Sequence, residues 1–443
     1  MASAATVGAG LTLRPDSILA NSGISTDNDK PAILGGAKAI PDRFPKWPIY
    51  DNVESKGLLD VLYSDKWGRL DGKTTTRFEE EYAKISGAQH CLATTSGTSA
   101  LLTMLGALGV GPGDEVIIPV YTFIATYNVV VLNYALPVIV DMDPDSFQID
   151  PKKIEAAITK NTKAIMPVHM GGSPADMDAI LDIGKKNNIP VLEDACQAPL
   201  AEWRGKKVGT LGLAGGLSFQ SSKNLCCGEG GAVISNDKKF IDDCYKFHNQ
   251  GWWSGSDQDN NAFDIKTRGS NLRITEFQSG ILLSQMTRLI EQSKIRYENA
   301  LYLNSLFNEI PGLVPAKLYE GVTNSTYHFY MFRYEKEGFA GMSREQFMRA
   351  MSQEGVNLSS GYGRIYPYIT NLAKSKYYLK IYGEKEMKRW LERIECPVNE
   401  KIANEHAVWL SQPNLLGSRK QIEQIAVAAR KIQKYAKEII NSQ

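Results

Sequence analysis

Residues 189–199 read "IPVLEDACQAP", an apolar run that ends on two acids and a turn. It follows the helix-like "PADMDAILDIGKKNN" (174–188). Its shortness and branched side chains mark it as a strand entered from a helix. Asp194 closes that strand, where a carboxylate is costly to bury unless it meets a cation, a proton or several donors. Gln197, three residues on, is placed to donate to a nearby oxygen. The plainer alternative is that Asp194 caps a following helix.

The same alternation repeats on both sides. "DEVIIPV" (114–120), "LPVIVDMD" (136–143), "TKAIMPVHM" (162–170) and "GGAVISND" (230–237) are short β-branched runs separated by helical segments. Such alternation predicts an α/β fold, with a mostly parallel, mixed sheet covered by helices on both faces. Ligands in such sheets sit beyond the carboxyl ends of the strands. Upstream, a helix is expected near 51–63 and another within "KWGRLDGKTTTRFEEEYAKISG" (66–87). Downstream, residues 275–310 read as one long amphipathic helix that stops before Pro311. The remainder, with a strand-like "TYHFYMFRYE" (326–335) and helices at 343–355 and 418–439, reads as a smaller α+β domain. The expected layout is a tail at 1–30, a large α/β domain at 31–285 and a small domain at 286–443.

Composition narrows the function. The 443 residues are 43% hydrophobic and 22% charged with a formal net charge of +1, which gives no electrostatic case for nucleic acid or an anionic membrane. No apolar run approaches the roughly 18 residues of a membrane span. The six cysteines lack a C-x-x-C pair, so they read as reduced thiols and no metal site is expected. The opening "MASAATVGAGLTLRPDSILANSG" has the apolar look of an export signal without the preceding basic residues. It reads as a disordered tail, and the protein as cytoplasmic, with a truncated signal and export as the alternative.

Four features fall at predicted strand ends. In "TTSGTSALLTML" (94–105), Ser96, Gly97 and Thr98 open an apolar helix whose free N–H groups and dipole suit a phosphate, or simply cap a buried helix. In "VYTFIAT" (120–126), Phe123 is placed to stack on a flat heterocycle, or to fill the core. Asp194 with Gln197 is the third. The fourth is "SFQSSKNLCCGEGG" (218–231), where Lys223 lies between an apolar strand and a glycine turn with no acid before Glu229. Desolvation lowers the pKa of such a lysine and makes its amine a nucleophile. A phosphate-binding P-loop would need Ser or Thr straight after the lysine, and Asn224 stands there. Together the four parts are those needed to hold pyridoxal 5'-phosphate.

"EDACQA" (193–198), "SFQSSKNLCCGEGGAVISND" (218–237) and "GSNLRITEFQSG" (269–280) resemble the signature blocks of the DegT/DnrJ/EryC1/StrS aminotransferases, pyridoxal-phosphate enzymes of fold type I. The resemblance runs from about residue 31 to the C-terminus. It implies Lys223 as the Schiff-base lysine, Asp194 as partner of the pyridine nitrogen and Gln197 near the phenolic oxygen. It further implies Ser218, Ser96 and the backbone of Gly97 and Thr98 on the phosphate, with Phe123 over the ring. Asn271 in "GSNLR" would reach the phosphate of a neighbouring subunit, which implies a homodimer with shared sites. His328 is a substrate-pocket candidate, or a histidine lining a strand.

The implied reaction moves an amino group from glutamate or glutamine to a keto-sugar or keto-cyclitol. "SFQ" (218–220), "FPKWPIYDN" (44–52) and "CPVNEKIANEHAVWLSQPNLLG" (396–417) resemble the cyclitol and aminohydroxybenzoate branch. "LCCGEGG" (225–231) departs from the family by placing Cys226 where Thr or Ser is common, an oxidisable thiol if exposed. The rivals are a same-fold elimination or dehydration enzyme, whose family branch carries histidine for the lysine, and a non-catalytic cofactor-binding regulator.

Overall fold

The computed structural model describes residues 29–251, 268–363 and 365–442. The first strands are β1 (His90–Thr94), β2 (Glu115–Pro119), β3 (Leu136–Val140), β4 (Thr162–Ile165) and β5 (Leu192–Asp194). A short hairpin, β6 (Glu202–Trp203) and β7 (Lys206–Lys207), precedes β8 (Ala214–Ser218) and β9 (Gly231–Ser235). The ladders β3-β2-β4 and β5-β8-β9-β1 are joined by parallel bridges from Ile165 to Val191 and from Val168 to Asp194. One twisted layer results, ordered β3-β2-β4-β5-β8-β9-β1. Only β9 runs antiparallel to its neighbours in that layer. The mixed, mostly parallel sheet expected from the alternation is therefore present. β1, "HCLAT", carries too little apolar pattern to stand out in the sequence.

Period-two alternation divides the core between the two faces. Leu92, Val116, Ile118, Leu192 and Val233 pack against the helices Gly97–Ala107 and Ile124–Leu132. Their strand neighbours Ala93, Ile117, Val191 and Ile234 pack on the other face, against Phe78 and Tyr82 of Thr74–Ser86 and Ile180 of Met177–Asn187. Fully burying one such aromatic side chain contributes about 2–3 kcal/mol.

The C-terminal part adds β10 (Leu313–Pro315), β11 (Val322–Asn324), β12 (Phe329–Tyr334), β13 (Leu358–Ser359) and β14 (Ala407–Ser411). β11 pairs with the β6–β7 hairpin, while β10-β12-β14-β13 form an antiparallel sheet. Tyr330, Phe332, Val408 and Leu410 of that sheet share a core with the helices Arg344–Gln353 and Arg419–Lys434. Ile40 of the N-terminal segment joins the same core.

The helix Glu276–Phe307 runs through the expected boundary at 285/286. Its Leu282 and Leu289 belong to the large-sheet core, its Ala300, Leu303 and Phe307 to the C-terminal one. We propose two units that share this helix, with the N-terminal segment after residue 31 strapped onto the smaller one. The expected tail lies almost wholly outside the described residues.

One expectation at the C-terminus changes in detail. The segment 418–439 forms two helices, Arg419–Lys434 and Ala436–Asn441, parted at Tyr435 (φ −105°, ψ 19°). The helix Lys376–Glu392 is kinked at Gly383 (φ 77°), which interrupts the helical period in the sequence. Among the described residues no helix is long and apolar enough to cross a membrane.

Candidate active site

A cavity of about 580 Å³ opens beyond the carboxyl ends of β1, β2, β5 and β8. Each strand delivers one group to its wall. β1 runs into Ser96, which caps the helix Gly97–Ala107 by accepting from Ser99 N at 3.0 Å. The cap reading holds for the Ser96 side chain, and it leaves the N–H groups of Gly97 and Thr98 in the first turn without an intrahelical partner. A Cβ on Gly97 would stand 2.6 Å from Ser218 Cβ and 2.9 Å from Cys196 Sγ, so the helix end approaches β8 as only glycine permits. Ser218, the last residue of β8, faces this helix end in the same wall.

β2 leads to Phe123, which is 52% exposed and begins the helix Ile124–Leu132. An exposed aromatic on a cavity wall is not core, which removes the plainer reading of this residue. One helical turn on, Thr126 Oγ1 donates to Asp194 Oδ2 at 2.8 Å. Asp194 Oδ1 accepts from Cys196 N at 3.2 Å. The carboxylate is 4% exposed and, among the described residues, takes these two hydrogen bonds with the Cys196 thiol beside it, so it has capacity for a further partner from the cavity. It does not cap a regular helix, because a turn follows β5.

Lys223 hangs from a loop shaped by Gln220, whose Oε1 accepts from Ser222 N (2.9 Å) and Ser222 Oγ (2.6 Å). Asn224 Nδ2 ties the loop to Thr326 O at 2.6 Å. Lys223 Nζ lies 3.4 Å from His328 Nε2, and among the described residues no carboxylate pairs with it directly. Desolvation holds its pKa below that of an ordinary lysine, with Cys196 and Asp194 opposing. Burial first, then the charges of Lys223 and Arg296, press His328 well below the usual imidazole value. His328 is thus neutral, with Nε2 facing the lysine and, among the described residues, no hydrogen-bond partner for its buried Nδ1.

The structure brings Ser96, Gly97, Thr98, Phe123, Asp194, Gln197, Ser218, Lys223 and His328 around one cavity. Asn271 does not line it. It is exposed on the strip that bridges Asn249. Sequence reasoning missed Thr126, Tyr362 and Phe329. Thr126 had a faint signal, lying one helical turn from Thr122, whose hydroxyl it meets at 2.7 Å. Tyr362 and Phe329 arrive from the C-terminal part, and nothing local marks them. All six cysteines are free. Cys226 is buried outside the cavity wall, with its thiol pushed up to about 11 by burial, so it is packing rather than an exposed oxidisable group.

The parts suit a planar, anionic, carbonyl-bearing group. They are a helix N-terminus for a phosphate, an aromatic wall, a buried carboxylate with spare capacity and a desolvated amine. The profile of the DegT/DnrJ/EryC1/StrS aminotransferase family matches residues 48–411. The chain is 34% identical over 392 residues to the 3-amino-5-hydroxybenzoate synthase of Amycolatopsis mediterranei (strain S699), covering 88% of this chain and 97% of the relative. It is 32% identical over 424 residues to the L-glutamine:2-deoxy-scyllo-inosose aminotransferase of Streptoalloteichus tenebrarius, covering 92% and 99%. The crystal structure of 3-amino-5-hydroxybenzoic acid synthase superposes with a TM-score of 0.77 at 33% identity, over 88% of this chain and 99% of that one.

Proposed function

The chain belongs to the DegT/DnrJ/EryC1/StrS aminotransferase family, and we propose that it is a pyridoxal-phosphate enzyme transferring an amino group from L-glutamine or L-glutamate to a keto-cyclitol. The observation that carries this reading is the desolvated Lys223 amine in one cavity with a buried, under-satisfied Asp194. When bound, the cofactor supplies an electron sink and a carrier for the amino group.

The chain's own residues do the rest. Gly97 and Thr98 would offer N–H groups to the phosphate, aided by the helix dipole and by Ser218. Asp194, held by Thr126, would keep the pyridine nitrogen protonated, and Phe123 would cover the ring. Lys223 would hold the cofactor through its amine and, once displaced, would hold and move a proton as general base and then acid. Neutral His328, with Nε2 facing the lysine, would hold it toward the cavity.

The acceptor class follows from the charges. Among the described residues Lys223 is the one lysine or arginine in the cavity wall, with Asp194 and Glu229 as acids. A nucleotide-linked sugar brings a diphosphate that needs cations, whereas a polyhydroxylated ring needs hydroxyl, amide and carboxylate partners. Supplying L-glutamine with 2-deoxy-scyllo-inosose, and separately with a nucleotide-linked keto-sugar, tests the choice. Amine product from the cyclitol supports the reading, and product from the nucleotide sugar alone overturns it.

We propose a homodimer with shared sites, in the cytoplasm where the amino donor is abundant. The helix Asn52–Tyr63 and its flanks expose Tyr50, Val53, Leu59, Tyr63, Trp67 and Leu70, an apolar face that favours burial against a second copy. Asn271 lies exposed and available to a neighbour's phosphate. Mixing inactive Lys223→Ala and Asn271→Ala proteins and letting subunits exchange should restore about a quarter of normal activity. No restoration would leave each site to its own chain.

A further inference from the structure

Tyr362 reaches the cavity from the other unit, in the loop after β13. Gly361 makes this possible. Its φ is +82°, and a Cβ there would stand 2.3 Å from Tyr121 Oη and 2.7 Å from Trp409 Cε2. The chain dives between those rings as only glycine allows. Tyr362 then sits with its ring edge-on to Trp409 (centroids 4.7 Å apart) and 5.9 Å from the Phe123 ring.

Its hydroxyl meets Gln197. Gln197 Oε1 accepts from Gly171 N at 2.8 Å, and Gln197 Nε2 donates to Tyr362 Oη at 2.8 Å. A backbone N–H only donates, so the amide cannot be flipped without losing this contact. One Nε2 proton is committed to Tyr362, and the other has no acceptor among the described residues. Burial pushes the Tyr362 hydroxyl above the ordinary phenol range, so it stays neutral, able both to accept from the amide and to donate.

We propose that Tyr362 is a positioning residue for Gln197, locking the amide so that its free N–H donates to the phenolic oxygen of the bound cofactor. This deepens the cofactor reading and rests on it. It also ties a loop of the smaller unit to the electronics of the cofactor. A donor on that oxygen withdraws negative charge from it. Loosening the donor leaves more charge there, which holds the proton of the adjacent lysine-linked nitrogen more tightly. The pH midpoint of the visible band must then rise.

The test uses the purified full chain reconstituted with pyridoxal phosphate, beside Tyr362→Phe, which keeps the ring and its packing. The visible band is titrated with pH. Dissociation constants are measured for pyridoxal phosphate and for its analogue lacking the phenolic oxygen. The expected result is a midpoint raised by about one pH unit and pyridoxal phosphate binding weakened by about tenfold, with analogue binding unchanged. An unmoved midpoint, or equal weakening of both ligands, overturns the proposal and makes Tyr362 a packing residue. A wild-type protein that develops no visible band overturns the cofactor reading as well, and is told apart because the unaltered chain then fails too.

Discussion

Glu193 and Asp194 are neighbours on one strand, both buried, and chemically almost the same. Period-two geometry sends their side chains to opposite faces of the sheet. Glu193, 0% exposed, accepts from Leu211 N and Gly212 N at 2.8 Å on one oxygen, and from Gly209 N (2.7 Å) and His169 Nε2 (3.0 Å) on the other. His169 Nδ1 in turn accepts from Ala175 N at 3.2 Å, which leaves Nε2 as the donor to Glu193. Asp194 has, among the described residues, the Thr126 hydroxyl and the backbone N–H and thiol of Cys196. A carboxylate whose lone pairs are all taken stitches the loop after β7 to the sheet. One with capacity left, facing a cavity, is ready for something from outside the chain. Saturation, more than burial, separates structure from chemistry here.

That contrast breaks open most sharply at the activity level. Asp194→Asn should lower kcat by on the order of a thousandfold while the fold survives, because it removes the group that keeps the pyridine nitrogen charged. Glu193→Gln should do the reverse. It places an NH₂ against backbone N–H groups, costing about 3 kcal/mol of stability in urea unfolding, with kcat per folded molecule little changed. If the two effects were exchanged, saturation would not be the distinguishing property.

Lys223 offers a second cut. Desolvation lowers its pKa in the folded apoprotein, so at neutral pH its charge costs stability that is recovered as pH rises from the folded value toward that of the unfolded chain. Lys223→Met should therefore abolish turnover and yet stabilise the apoprotein by about 1–2 kcal/mol at pH 7, the gain shrinking toward pH 10.5. Differential scanning calorimetry across that range checks the sign, and a destabilised variant would mean the amine is well solvated.

Smaller effects belong to the walls. Gly97→Ala should weaken cofactor binding by about tenfold, because its Cβ collides with Ser218 and Cys196 across the phosphate end. Phe123→Leu should weaken it by only about threefold, the loss of one stacking contact. Fluorescence titration with pyridoxal phosphate ranks the two.

The sequence made some of this plain and hid the rest. The strand-end residues were legible because each sits beside its own strand: Asp194 after "IPVLE", Phe123 after "EVIIPV", Lys223 after "LSF". Parallel connectivity then places all those ends on one edge, so convergence follows from topology. Tyr362 was not legible. It reaches Gln197 across 165 positions, and its approach depends on a left-handed glycine between two distant rings. The strap "FPKWPIYDN" was visible as a motif but not as a contact. Only the fold shows Trp47 Nε1 donating to Ser221 O at 3.0 Å, on the lysine loop. The role of Glu193 was hidden too, since an acid pair ending a strand does not say which member meets backbone donors.

The most direct test of the whole account is the absorbance spectrum of the purified protein with pyridoxal phosphate, before and after L-glutamine or L-glutamate, beside Lys223→Ala. The account predicts a visible band that is absent in the variant and is bleached by the amino donor. No band with the cofactor present, or a band that neither donor can bleach, would contradict it.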